Sequence, residues 1–386
     1  MDTSFIPDSK GKELKKTGRI YWLDLLKLIA IFMMVAGHCG DFVSPEDRAL
    51  PWYQTWGTIY NSLMRPAIPL FVMVTGALLL PVRQELGAFY RKRIFRVLIP
   101  FLIWSTLYAL FPWFTGLLGY PPETVNAFFP WAPNAQTFSA SWGYIWKIPF
   151  TFSPFCVQMW YIYALVGLYL YLPVFSAWVR QASDRDQRIF LGIWGVTLFI
   201  PYLREWLGTS ILGACSWNEF HMLYCFAGFN GYLLLGHYLI RHPLRCGWGK
   251  LAALALPMFA IGYGTTLAGF RHMVGQPNPT DAMVELFFTY CSPNVLLMTL
   301  PLALVAQKIS YGNAAVKKLL ASLSGCTFGI WMIHYILVYP SNCIVNLFGL
   351  HTMTSMVISS ILVLLISWGI VALVKRAGKI GTWIMG

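Results

Sequence analysis

An apolar segment near the N-terminus reads Tyr21-Trp-Leu-Asp-Leu-Leu-Lys-Leu-Ile-Ala-Ile-Phe-Met-Met-Val-Ala-Gly-His38. Its length and composition are typical of a transmembrane helix. It nevertheless contains Lys27 and ends on His38. An ionisable side chain at bilayer depth is costly and rare unless it faces a cavity or the interior of a helix bundle. The segment therefore indicates a membrane protein whose first helix contributes to function.

Lys27 and His38 share one face of this helix. They are eleven residues apart, which at about 100° per residue corresponds to about three turns plus 20°. Asp24 and Asp41 fall within roughly 60° of the same line. Lys27 and His38 are separated by about 16 Å along the helix axis. The first helix thus presents a stripe of ionisable groups in one direction.

The composition of the whole chain supports this interpretation. The 386 residues are 57% hydrophobic and only 11% charged, whereas a soluble domain has about 25% charged residues. The mean hydropathy is +0.59. The net charge of +13 is explained by basic loops on the cytoplasmic side of the membrane. We therefore expect a lipid bilayer around the protein and no nucleic-acid partner.

We predict an all-α, polytopic integral membrane protein with about ten transmembrane helices. If the N-terminus is cytoplasmic, most of the 28 basic residues fall on the inner side, and an even number of spans places the C-terminus there too. The predicted domains are a basic cytoplasmic tail over 1–19, a transmembrane domain over 20–374 and a cytoplasmic tail over 375–386. The predicted helices cover residues 20–40, 57–81, 95–118, 157–177, 189–206, 220–240, 251–270, 283–306, 321–341 and 352–374.

The longest outward connection, residues 119–156, is rich in aromatic residues and proline. This composition suits an interfacial loop or a re-entrant hairpin at the headgroup level. The aromatic rings could also stack on sugars.

The eight cysteines show neither a Cys-x-x-Cys pair nor the spacing of a zinc site. The sequence also lacks a phosphate-binding glycine loop and a zinc-protease helix. We therefore expect no metal and no disulfide framework, although one bridge between outward-facing cysteines stays open.

His38 is a candidate general base because imidazole titrates near neutral pH. Lys27 and Asp24 on the same face favour a catalytic site, in which a cation such as Lys27 or Arg65 could stabilise an oxyanion. Two structural alternatives stay open. His38 could be a packing residue between helices, and Asp24 and Lys27, three residues apart, could form a simple ion pair.

A second cluster of charge reads Phe89-Tyr-Arg-Lys-Arg-Ile-Phe-Arg-Val-Leu-Ile-Pro100. Arg93 and Arg96 are three residues apart and project together from the predicted start of the third helix. Two adjacent guanidinium groups are suited to binding phosphate oxygens. The alternative is that they only anchor the helix at the cytoplasmic surface.

Six further residues are candidates for substrate binding because they are polar or aromatic and lie in or beside predicted spans. His334 lies mid-span and faces either the cavity of His38 or a neighbouring helix. Arg65 could pair with one of two carboxylates near the outer side. Trp160 and Tyr161 open the fourth helix, which is also a common interfacial position. The six candidates are Arg65, Asp41, Trp160, Tyr161, Glu219 and His334.

These motifs together resemble the membrane acyltransferase-3 family, which transfers acyl groups, usually acetyl, onto cell-envelope sugars. That family carries a basic residue, ten intervening residues and a histidine in its first helix, and Lys27 and His38 match this pattern with lysine in place of the frequent arginine. The Arg-x-x-Arg pair of the family is matched by Arg93 and Arg96. Further similar segments, which extend the resemblance over nearly the whole chain, are 69–80, 159–170 and 329–334.

The resemblance implies a stand-alone O-acetyltransferase of the bacterial inner membrane, similar to those acting on common-antigen or O-antigen sugars. The acyl donor would be acetyl-CoA, with its phosphates at Arg93 and Arg96 and with Lys27 as a further cation. His38 would deprotonate a hydroxyl of an envelope glycan or lipid-linked sugar. Direct transfer and an acyl-histidine intermediate both stay open.

Two other functional classes remain as alternatives. In a transporter or flippase for a lipid-linked glycan, Lys27 and His38 would line the permeation path. In a membrane sensor, the same residues would bind a ligand without converting it. Assembly into a homo-oligomer is also open.

Overall fold

The computed structural model of the protein describes residues 18–40, 51, 53–130 and 132–386. Among these residues every regular element is a helix, and the only β-bridge is an isolated one between Cys215 and Asn218. The all-α prediction is therefore confirmed. Most of the predicted tail over 1–19 lies outside the described residues. The α-helices in chain order are α1 Tyr21–Gly40, α2 Thr58–Met64, α3 Ala67–Leu79, α4 Leu86–Leu117, α5 Glu123–Phe128, α6 Phe138–Ile145, α7 Trp160–Gln181, α8 Asp184–Thr197, α9 Ile200–Leu207, α10 Asn230–Arg241, α11 Trp248–Val274, α12 Asp281–Glu285, α13 Pro293–Lys308, α14 Ala314–Asn346, α15 Thr352–Lys375 and α16 Lys379–Met385.

Eight helical segments within the described part of the chain are long and apolar enough to cross a membrane. Each coincides with a predicted span. The protein is therefore a multi-pass membrane protein, as its composition predicted. The eight segments are Tyr21–Gly40, Thr55–Leu79, Leu86–Leu117, Pro154–Gln181, Trp248–Val274, Asp281–Lys308, Ala314–Asn346 and Thr352–Lys375.

The two remaining predicted spans are observed as shorter helices. The span predicted over 189–206 is divided into α8 and α9 because Pro201, which has no backbone N–H, occupies the first turn of α9. The span predicted over 220–240 retains only α10, which has 12 residues. Before α10 the backbone turns at His221 (φ 48°) and Gly228 (φ 82°). None of these helices has the roughly 20 residues that one straight span requires.

The described residues form two compact units, and four helices, α1, α2, α7 and α14, contribute residues to both. The first unit contains the bulk of the helices from α8 to α13. The second contains α4, the C-terminal part of α14 and all of α15. The first unit takes residues from Met1–Met33, Ser62–Val82 and Leu172–Ser324, and the second from Met34–Asn61, Arg83–Tyr171 and Gly325–Gly386.

In the first unit, α3 and α10 cross at two glycines. A Cβ atom on Gly76 would lie 1.9 Å from the carbonyl oxygen of Leu233, and one on Gly236 would lie 1.9 Å from that of Met73. Small residues allow helix backbones in a membrane to approach closely and to gain van der Waals contact. The absence of side chains at these two positions therefore determines the spacing of the helix pair.

We expect Gly76→Ala to destabilise the protein by about 1–3 kcal/mol, because the added methyl group must push the two backbones apart. Gly264→Ala is the matched control, since Gly264 lies in the long helix α11 and has open space around its Cα. Alanine there should be neutral or stabilising by up to about 1 kcal/mol. Thermal unfolding of the purified proteins in detergent compares the two variants. Equal midpoints would show that the crossing tolerates a Cβ atom.

A buried hydrogen-bond network joins α11 and α13 in the first unit. The side-chain amide of Asn294 donates to Thr266 Oγ1 at 2.7 Å and to the Phe287 carbonyl oxygen at 2.9 Å. The Tyr202 hydroxyl donates to Asn294 Oδ1 at 2.6 Å. Because the amide nitrogen and oxygen of Asn294 are both satisfied, this network is structural.

In the second unit, α4 begins earlier than predicted. Glu85 caps it by accepting hydrogen bonds from the backbone N–H groups of Gly87 and Ala88, both at 2.8 Å. These bonds also lower the pKa of the Glu85 carboxyl group. The helix therefore starts at Leu86 instead of residue 95, and it continues for 32 residues.

The predicted C-terminal tail, residues 375–386, contains the packed helix α16. Trp104 Nε1 donates a hydrogen bond to the Ile384 carbonyl oxygen at 3.0 Å. Lys375 Nζ donates to the carbonyl oxygens of Gly325 and Gly386, both at 2.8 Å. The side chain of Met385 is buried. This segment is thus part of the second unit and not an extended tail.

The aromatic outward connection is partly folded into the second unit. It forms α5 and α6, and Phe129, which follows α5, is fully buried. Trp142 and Trp146 are instead more than half exposed. The exposed tryptophans agree with an interfacial loop, whereas Phe129 contributes to the core.

All eight cysteines are free in the structure. Cys39 and Cys156 are buried, whereas Cys215, Cys225 and Cys343 are exposed.

Candidate active site

The second unit brings together two residues predicted to belong to the site, His38 and His334. Their ring centroids are 5.3 Å apart, and the ring planes make an angle of 34°. His38 is half-buried at the end of α1, and His334 is fully buried in the middle of α14. The imidazole ring of His334 thus lies beside that of His38, and its role in substrate binding stays a prediction.

Hydrogen bonds to the backbone orient the His334 ring. Its Nδ1 lies 3.1 Å from the Ile330 carbonyl oxygen and 2.9 Å from that of Trp331. Its Nε2 is buried and has no hydrogen-bond partner among the described residues. One nitrogen of His334 is therefore committed to the helix backbone, and the other is open to another group.

An aromatic wall adjoins the two histidines. The Tyr335 ring meets the His38 ring edge-on, with centroids 5.3 Å apart. On its other side, Tyr335 stacks on Phe129 at 5.9 Å. Tyr108, also buried, donates a hydrogen bond to the Met332 carbonyl oxygen at 3.0 Å. These contacts hold this part of α14 in a fixed position beside His38.

Trp331 connects the histidine pair to the start of α7. Its indole N–H donates to the Gln158 carbonyl oxygen at 3.2 Å, and its ring centroid lies 4.9 Å from that of Tyr161. Tyr161 is only 4% exposed, so its ring lies inside the unit and not at the lipid interface. Trp160 is half-buried and contacts Tyr161 edge-on at 5.9 Å.

Gln158 is a candidate site residue that sequence reasoning missed. It is fully buried, and its amide nitrogen and oxygen have no hydrogen-bond partner of normal geometry among the described residues. It lies in a 3₁₀ segment, Pro154–Met159, that is kinked at Cys156 (φ −145°, ψ 54°). A buried amide without partners is rare and suits a ligand that hydrogen-bonds. The sequence could have indicated Gln158 because it is a polar residue within an apolar run.

Arg93 and Arg96 form the cationic part of the second unit. They lie on α4 within its first three turns, where Arg93 is half-buried and Arg96 is exposed. Arg93 Nε is buried without a hydrogen-bond partner among the described residues, and Tyr169 lies within electrostatic range of its guanidinium group. Lys375, which the sequence analysis assigned only to the tail, lies within electrostatic range of Arg96. The cluster thus contains three cations.

Asp24 and Lys27 belong to a network in the first unit. Lys27 Nζ lies 3.7 Å from Asp24 Oδ1. Arg19 Nε donates to Asp24 Oδ2 at 2.5 Å, and the Ser324 hydroxyl also donates to Asp24. The Asp24 carboxylate is 5% exposed, accepts hydrogen bonds from Arg19 and Ser324, and forms an ion pair with Lys27. Asp24 and Lys27 thus form an ion pair, which favours a structural role for Asp24. A catalytic role of Asp24 stays a prediction.

Arg65 also lies in the first unit, where its guanidinium group lies 4.0 Å from the centre of the Phe288 ring and 6.0 Å from that of Tyr290. These distances are typical of cation–π contacts. Glu219 is exposed in the irregular segment before α10. Asp41, its predicted alternative as partner of Arg65, lies outside the described residues.

The predicted site residues are therefore divided between the two units. The second unit holds a histidine pair, a buried amide and a cationic cluster, which are the groups that acid–base chemistry on an anionic substrate requires. The first unit holds an ion-pair network and a cation–π contact. The predicted residues in the second unit are His38, Arg93, Arg96, Trp160, Tyr161 and His334, and those described in the first unit are Asp24, Lys27, Arg65 and Glu219.

Comparison with protein families gave one match that covers nearly the whole chain. A family model described as an acyltransferase domain matches residues 20–372. Comparisons with curated proteins and with solved structures gave no significant match. The matched range includes every site residue that was predicted from the sequence, whereas Lys375 lies just beyond it.

Proposed function

The chain belongs to the membrane acyltransferase-3 family, and we propose that it transfers an acyl group, foremost acetyl, from acyl-CoA to a hydroxyl of a cell-envelope sugar or lipid-linked glycan. Membership of the family makes the protein a membrane acyltransferase. The donor, the acceptor and the acyl chain are the parts that we add.

The observation that carries the proposal is the composition of the second unit. It contains His38 with its ring 5.3 Å from that of His334, and it also contains Arg93 and Arg96. A base for the acceptor and a cationic cluster for the donor thus occur in the same compact unit. Structural anchoring alone does not explain a half-buried arginine whose Nε has no partner among the described residues.

Arg93 and Arg96 would bind the phosphate groups of acyl-CoA, with Lys375 as a further cation. Guanidinium groups bind phosphate oxygens through charge-assisted, often bidentate hydrogen bonds. The unpartnered Nε of Arg93 supports this role because a buried donor gains a full hydrogen bond when an anion arrives. Lys27 remains a further predicted contact of the acyl-CoA molecule. The thioester supplies the acyl group in activated form.

His38 would act as the general base toward the acceptor hydroxyl. A cation or an amide donor near the acyl carbonyl would stabilise the oxyanion. Gln158 joins Lys27 and Arg65 as a candidate for that role because its amide group is buried and has no partner of normal hydrogen-bond geometry among the described residues. An acyl-histidine intermediate is the two-step version of the same chemistry.

The acceptor contacts are proposed in the second unit, close to His38. Tyr161 and Trp160 provide aromatic surface, and His334 adjoins the proposed base His38. Glu219, Asp41 and Arg65 remain predictions for the acceptor. With a cytoplasmic donor and an envelope acceptor, the protein would reside in the bacterial inner membrane with both termini in the cytoplasm.

The test is transfer by the purified protein in proteoliposomes supplied with radiolabelled acetyl-CoA and a bacterial lipid-linked glycan fraction. We expect label in the glycan together with an equal amount of released CoA. Mass spectrometry of envelope glycans from cells with and without the gene then identifies the acylated position. Movement of glycan across the vesicle membrane without consumption of acetyl-CoA would instead favour the transporter alternative.

A further inference from the structure

The hydrogen bonds of His334 determine its tautomer. Its Nδ1 contacts two backbone carbonyl oxygens, at 3.1 Å and 2.9 Å. A carbonyl oxygen only accepts hydrogen bonds, so Nδ1 must carry the hydrogen atom. In a neutral imidazole the other nitrogen, Nε2, then has a lone pair and no hydrogen. His334 is therefore built to accept a hydrogen bond at Nε2.

The Nε2 atom of His334 is buried and has no partner among the described residues. A buried acceptor without a partner is energetically costly, so its presence requires an explanation. The neighbouring polar ring is that of His38, with centroids 5.3 Å apart. Because ring nitrogens project outwards from the centroid, this separation leaves room for an N–H···N hydrogen bond after a small ring rotation.

The surroundings favour a bond between the two rings over random packing. Tyr335 contacts both imidazoles, because its ring centroid lies 5.3 Å from that of His38 and 6.2 Å from that of His334. Trp331, whose carbonyl oxygen accepts from His334 Nδ1, is itself tied to Gln158 and packed on Tyr161. The His334 ring is thus held from two sides, whereas a catalytic hydrogen bond of His38 can tighten when substrate binds.

We propose that His334 is a positioning residue for His38. Its Nε2 accepts a hydrogen bond from one ring N–H of His38, which selects the tautomer whose other nitrogen faces the acceptor hydroxyl. The arrangement follows the general logic of a base oriented by a third group, with a neutral imidazole as the third group. This inference rests on the proposed acyl transfer.

The proton balance of the single-step reaction is complete with these two residues. The hydroxyl O–H bond breaks and its proton moves to His38, while the hydroxyl oxygen forms the ester bond to the acyl carbon. The thioester C–S bond then breaks, and the proton passes from His38 to the departing sulfur. His334 keeps its own proton throughout and stabilises the positive charge that His38 carries between the two transfers.

The experiment compares His334→Phe with His334→Gln. Phenylalanine keeps a ring but removes the acceptor, and we expect kcat to fall about 10- to 100-fold while both KM values stay within about threefold. Glutamine keeps an acceptor oxygen and should recover part of kcat. When kcat is measured as a function of pH, the acid limb of the profile reports protonation of the base His38. In the phenylalanine variant, His38 loses the acceptor that stabilises its protonated form, so the acid limb of the profile should move to lower pH.

The matched control is His237→Phe in the first unit. His237 is also buried, and it lies outside the unit that contains His38 and His334. This variant should leave the acid limb where it is in the unchanged protein. Folded amounts are compared by fluorescence-detected gel filtration, so that rates are expressed per folded molecule.

Three results would overturn the inference. An unchanged kcat in His334→Phe, or equal losses in both His334 variants with an unmoved acid limb, would make His334 a packing residue and leave the proposed function intact. Absence of transfer from acetyl-CoA by the unchanged protein would overturn the proposed function, and the inference with it.

Discussion

His38→Ala is expected to abolish acyl transfer and to leave the protein folded and inserted. A positioned base contributes about 100- to 10,000-fold to a proton-transfer step, so residual transfer should fall below one hundredth of the normal rate. Folding should survive because His38 is only half-buried and terminates α1 near Gly40. The buried side of that helix, which includes Leu26, Ile31 and Val35, is unchanged by the substitution.

The measurement is label transfer from acetyl-CoA to the glycan fraction, normalised to folded protein. His272→Ala is a suitable control, since His272 is exposed on α11 in the first unit. It should retain full transfer. If His38→Ala also transferred acetyl at the normal rate, His38 would be only a packing residue between helices.

Arg93→Ala is expected to weaken acyl-CoA binding by about 10- to 100-fold, the range for loss of a hydrogen bond to a charged partner. The physical reason is partial burial. Arg93 is half-buried with an unpartnered Nε among the described residues, so water does not replace the phosphate bond fully. Arg93→Lys should have an intermediate effect because lysine keeps the charge but loses the planar fork.

Isothermal titration with a non-hydrolysable acyl-CoA analogue measures this change directly. Arg91→Ala is the matched control, because Arg91 lies on the same helix two residues earlier and is exposed. A surface charge of this kind contributes little to a bound complex beyond long-range attraction. Equal affinity in Arg93→Ala and the unchanged protein would return Arg93 and Arg96 to the role of surface anchors.

Most of the fold could be predicted because the bilayer imposes one dominant requirement. About 20 apolar residues must form a helix, since backbone polar groups in lipid have no other partner. All eight long helices satisfy this rule. The two predicted spans that are broken do not, because Pro201 and the left-handed residues His221 and Gly228 interrupt the helix locally. Hydropathy averaged over a window does not register such single-residue effects.

The candidate site was predictable only where a residue is anomalous in its own segment. His38 and Lys27 are conspicuous because they are ionisable within an apolar helix. Gln158 and Lys375 are not conspicuous, since the former is an uncharged residue at the start of the predicted span 157–177 and the latter resembles any basic residue at a helix end. Their importance depends on neighbours distant in the chain, namely Trp331 for Gln158 and Arg96 for Lys375.

Local composition and spacing were enough to establish an all-helical membrane protein, an ionisable first helix and an arginine pair at one end of α4. These properties follow from the cost of burying charge and backbone in lipid, which each segment meets by itself. The partners of each ionisable group were decided by tertiary packing alone. His38 meets His334, nearly 300 positions later in the chain, and Asp24 is held by Ser324. Such pairings depend on how helices pack, and no segment encodes that in isolation.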